Sequence, residues 1–78
     1  MKTSDLVVGA IVQVKNLDTD AGLWVHQKHL VHRQRGVRGR VESFILRDED
    51  PYTVVFVEHG KGISAYRNTE LELIGVPI

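Results

Sequence analysis

Apolar and polar positions alternate with period two along most of this chain, the spacing that puts successive side chains on opposite faces of a β-strand. The first such stretch is residues 8–15, where Val8, Ala10, Val12 and Val14 share one face and Ile11 takes the other. Residues 37–46 alternate as a second strand, Val37, Gly39, Val41, Ser43 and Ile45 against Arg38, Arg40, Glu42, Phe44 and Leu46, with Gly39 marking a bend or bulge. Residues 52–58 contain Val54-Val55-Phe56-Val57, apolar on both faces, as expected of a strand central to a barrel or covered by a loop. Residues 63–67 return as its hairpin partner, and Leu73 and Ile74 close the sheet.

The punctuation between strands is equally regular. Residues 16–22 are rich in turn formers, residues 47–51 read as a charged hairpin tip stopped by Pro51, and residues 59–62 supply two glycines for a tight turn. Residues 68–71 are too few for an α-helix and suit one 3₁₀ turn. Residues 23–32, with Trp24 and three histidines, follow no single period and read as a long excursion holding short extended pieces. The pattern therefore predicts an all-β fold: a small SH3-like barrel of about five strands, with a long first loop and a short 3₁₀ turn before the last strand.

Composition sharpens this picture. Twelve Val and five Ile among 78 residues is a β-rich usage. The length falls below the usual ~100–200 residues per domain, so residues 1–78 are expected to form a single domain with its core over about 7–74. A chain this short buries only roughly 60–65% of its unfolded surface, which favours a subunit that gains stability from a partner. The absence of cysteine excludes disulfides, thiolate metal sites and Cys nucleophiles within the sequence. With no long apolar run and no basic-then-apolar leader, the expected setting is the cytoplasm or a similarly reducing compartment, away from the membrane.

Lys and Arg balance Asp and Glu ten to ten, but unevenly along the chain. Residues 28–40 carry Lys28, Arg33, Arg35, Arg38 and Arg40 with no acid, whereas residues 42–58 carry five acids against Arg47 alone. Two functions compete for the basic stretch: docking of an acidic protein surface, or an SH3-like nucleic-acid-binding module tracking phosphates. His26, His29 and His32, spaced by three, offer a metal site on paper, but that spacing suits one face of a helix better than an extended chain. Trp24 is either a binding anchor or a cap on one end of the barrel. Ser4, Ser43 and Ser64 lack any catalytic motif, and Gly60-Lys61-Gly62 is too short for a phosphate-binding loop, so no enzymatic activity is expected.

Three stretches resemble a known family. Val8-Gly9 with Val12-Gln13-Val14, then Trp24-Val25-His26 with His29 and His32, then the tail from Ala65-Tyr66-Arg67 through Glu70-Leu71 to Ile74, are similar to the variable (alpha) chain of ferredoxin:thioredoxin reductase or a near relative among SH3-like electron-transport accessory proteins. The short acidic tip at residues 48–51 and the basic Arg33-Gln34-Arg35-Gly36 depart from that pattern. The resemblance implies a non-catalytic accessory subunit without a cofactor of its own, docked on an iron–sulfur catalytic partner in a heteromer, in the chloroplast stroma if plastidial. The expected contact residues are Trp24, His26, His29, His32, Arg33 and Arg35.

Overall fold

Branched side chains in alternation produce five antiparallel strands in the computed structural model, which describes residues 1–18, 23–46 and 53–77. They are β1 (Ile11–Val14), β2 (Arg38–Ile45), β3 (Val54–Glu58), β4 (Ile63–Arg67) and β5 (Leu71–Gly75). They form one open sheet in the order β4-β3-β2-β1-β5, leaving β4 and β5 at its two ends. Single 3₁₀ turns lie at Thr3–Asp5, Gln27–His29 and Asn68–Glu70, and no α-helix occurs among the described residues. The expected all-β architecture, with a long excursion after β1 and a 3₁₀ turn leading directly into β5, is therefore observed. The expected tip at residues 47–51, the start of the third strand at residue 52 and part of the 16–22 loop lie outside the described residues.

β1 is shorter than the alternation predicts. Gly9 adopts φ 90°, and the turn it permits is closed by the Ala10 N–H donating to Val7 O at 3.0 Å. Val8 is consequently turned out and exposed instead of joining Ala10, Val12 and Val14 in the core.

β2 is the strand shared by both halves of the sheet. Its start pairs with β1 (Val12↔Gly39) and its length pairs with β3 (Arg40↔Glu58 through Ile45↔Val54). Gly39 makes this double pairing sterically feasible, because a Cβ there would overlap the Glu58 carbonyl oxygen and lie 2.6 Å from Val57 Cγ1. The register against β3 shifts between Val41 and Ser43, so Glu42 is an extra residue in the ladder. An extra residue reverses the facing of all that follow: Phe44 packs against the core and Ile45 is exposed, the opposite of the simple alternation.

The β3 run is covered on both faces. Val55 and Val57 join Leu6, Ala10, Val12, Val14, Val41, Tyr66 and Leu71 in the main core. Val54, with Ala65 and the half-buried Phe56, faces the other way and is covered by Leu23, Val25 and Leu30 of the excursion. Full burial of an aliphatic side chain such as Leu23 contributes about 1.5–3 kcal/mol, and the half-buried Val25 and Leu30 add to it, so the excursion is a built part of the fold rather than a loose loop. Among the described residues, no helix is long and apolar enough to cross a membrane.

Candidate functional site: the excursion between β1 and β2

Leu23 is buried, Trp24 is 82% exposed, and Val25 packs back onto the sheet. The polypeptide then makes the 3₁₀ turn Gln27–His29, whose start is capped by His26: its Nδ1 accepts from the Lys28 N–H at 3.1 Å. His29 Nδ1 lies 2.9 Å from Ile63 O. A carbonyl can only accept, so this nitrogen carries the proton, and the ring packs edge-on against Phe56 at 5.3 Å. His29 thus fastens the excursion to β4.

Further along, Ser64 Oγ donates to Val31 O at 2.6 Å, and His59 Nε2 lies 2.7 Å from Ser64 Oγ. With the hydroxyl proton already committed, His59 Nε2–H is the donor in this short chain of bonds. His32 follows at φ 61°, the one non-glycine positive φ among the described residues, and its ring meets that of His59 at 6.1 Å.

Arg33 turns inward. Its Nη2 donates to both carboxylate oxygens of Glu70 at 2.7 Å, and Glu70 has no solvent exposure. The same carboxylate accepts from the backbone N–H of Asp18 and of Arg67, each at 2.8 Å, so its lone pairs are well used. Reaching back to Arg67 N–H, Glu70 serves the 3₁₀ turn Asn68–Glu70 as the acid of a capping box does. The guanidinium also lies 5.4 Å from the centroid of the Tyr66 ring. Burial pushes the Tyr66 phenol above its ordinary range, opposed by the Arg33 charge. Beyond the exposed Arg35, Gly36 N–H donates to Val14 O at 2.8 Å and returns the chain to the sheet.

The six residues expected from sequence therefore divide. Trp24, His26, His32 and Arg35 are exposed; His29 is half-buried against Phe56; Arg33 is committed to Glu70. The three histidines make three different local contacts, and no group of three or more metal-ligating side chains converges among the described residues. What sequence reading missed is a cleft of about 240 Å³ lined by His32, Gln34, Val37, Arg38, His59 and Lys61. Its two sides come from the end of the excursion and from the β3–β4 turn, a juxtaposition that no local motif announces. Comparison with protein-family models, curated proteins and solved structures finds no match to this chain.

Proposed function

We propose that this chain is a non-catalytic accessory module that docks a protein partner through the excursion around Trp24, on a sheet of the SH3-like barrel type. The barrel reading is supported by the β2-β3-β4 meander, by the 3₁₀ turn Asn68–Glu70 and by the return of β5 beside β1. The docking reading rests on one observation: Trp24 is 82% exposed while both of its neighbours pack onto the sheet. Tryptophan is the side chain most enriched at interface hot spots, and a pinned backbone presents it at little entropic cost. His29, Ser64 and the Arg33–Glu70 pair provide that pinning.

The partner surface is acidic. Next to Trp24 in sequence the exposed side chains include His26 and Lys28, Arg35 is exposed at the far end of the same excursion, and residues 23–41 contain no carboxylate. Two such cationic faces repel one another, which favours a heteromer over a homo-oligomer. The resemblance of Trp24-Val25-His26 to the reductase variable chain makes an iron–sulfur catalytic subunit the specific candidate. In this reading the chain supplies no catalytic residue and no cofactor, and its setting is the cytoplasm or the stroma of a plastid.

The test is co-purification with Trp24→Ala combined with Arg35→Glu, both at exposed positions. Arg33 is unsuitable for charge reversal, since its loss disturbs Glu70 and tests folding instead. Loss of the partner with the fold retained is expected; undiminished recovery would overturn the assignment. Nucleic acid is the second reading, resting on exposed Lys28, Arg35, Arg38 and Arg40. It requires oligonucleotide affinity that falls steeply with salt.

A further inference from the structure

We propose that the cleft between the end of the excursion and the β3–β4 turn binds one phosphate-type oxyanion. His32, Arg38, His59 and Lys61 make up four of its lining side chains, Gln34 adds an amide, and no carboxylate lines it among the described residues. Such a set offers donors and positive charge to a ligand without a built-in competitor. Size narrows the class: about 240 Å³ is below the ~300–1,000 Å³ of sites that enclose a whole small molecule, so the cleft fits one charged group.

Several donors are already oriented. Arg38 Nε donates to Gln13 Oε1 at 2.6 Å, which holds the guanidinium and leaves its terminal nitrogens for another acceptor. His59 donates through Nε2–H to Ser64 Oγ, which fixes its ring at the wall of the cleft, while its unprotonated Nδ1 supplies no hydrogen to a ligand. Lys61 sits between Gly60 and Gly62 in an exposed turn and can reach over the opening. His32 holds φ 61°, a strained conformation that recurs where a fold positions a side chain for a ligand. An oxyanion here gains charge-assisted hydrogen bonds from Arg38 and Lys61. The proposal does not depend on docking through Trp24, which lines no part of this cleft.

The experiment is an amide NMR titration of the ¹⁵N-labelled chain with sodium phosphate at constant ionic strength, with parallel arms in sulfate, acetate and a short oligothymidylate. Saturable shifts confined to residues 32–38 and 59–62 are expected with phosphate and sulfate. Lys61→Ala and Arg38→Ala should each weaken phosphate binding about five- to tenfold with amide dispersion unchanged. Lys61→Ala lies on a solvent-exposed turn, so its result does not hinge on folding. Non-saturating shifts spread over all cationic residues, or affinity unchanged in both variants, would overturn the site. Saturation by acetate but not phosphate, or by the oligonucleotide alone, would overturn the assigned ligand class.

Discussion

Removing either member of the Arg33–Glu70 pair should cost this chain a large share of its stability. Glu70 is fully buried and engages Arg33, Asp18 N–H and Arg67 N–H, tying the start and end of the excursion to the turn before β5. Arg33→Met leaves a buried carboxylate with two backbone donors and no counter-charge. Glu70→Gln keeps one acceptor oxygen but turns an NH₂ group toward donors. Breaking a buried pair in this way costs about 3–5 kcal/mol, against a total stability of order 4–12 kcal/mol for a domain of this length. In urea, with a slope of about 1–3 kcal/mol per M, each single variant should lose at least about 1 M in midpoint or be unfolded in buffer. The double variant should cost less than the sum of the singles, by at least about 1 kcal/mol, because neither charge is then left alone. Midpoint changes corresponding to less than about 0.5 kcal/mol in both singles would refute the reasoning, as would strict additivity.

Three further outcomes follow from neighbouring features. Gly39→Ala should destabilise by about 1–3 kcal/mol or more in the same urea assay, because the new methyl meets the fixed Glu58 carbonyl rather than a movable side chain. Trp24→Ala should change stability by no more than about 0.5 kcal/mol, and the wild-type tryptophan should emit as a water-exposed indole. The fold favours the neutral Tyr66 phenol, so its contribution is complete below the unfolded value of 10.0 and is lost as pH rises from there through the raised folded value. Wild type should therefore lose more stability between pH 9 and pH 11 than Tyr66→Phe does, by chemical denaturation; equal losses would contradict the burial of a neutral phenol.

Strand identities were readable because β-branched residues in alternation have few other folds open to them. Val54-Val55-Phe56-Val57 even announced its double coverage, since no solvated face tolerates that run. The bulge at Glu42 was not readable: Glu42 differs in no local way from its neighbours, and only pairing with β3 reveals the extra residue. The same limit hid the role of Arg33. Within a run of five cations it looked like one more surface charge, and its buried partner lies 37 residues away. A faint signal existed in Glu70, an acid three residues into the polar 3₁₀ segment, where a capping carboxylate is expected.

The tail from Ala65 to Ile74 places Ala65, Tyr66, Asn68, Glu70 and Leu71 in the interior, where they build the sheet. Trp24-Val25-His26 reaches the surface instead, through Trp24 and His26. Charge sorts in the same way: Arg33 holds the excursion in place, while His26, Lys28 and Arg35 remain exposed along it.

The central claim, that a pinned loop presents Trp24 to an acidic protein partner, is tested most directly by fluorescence of the single tryptophan during titration with the co-purified partner made free of tryptophan by substitution. A blue shift with protection from iodide quenching, saturating with the complex and abolished by Arg35→Glu on a folded chain, is the predicted result. Complex formation with Trp24 still fully quenchable would contradict the account.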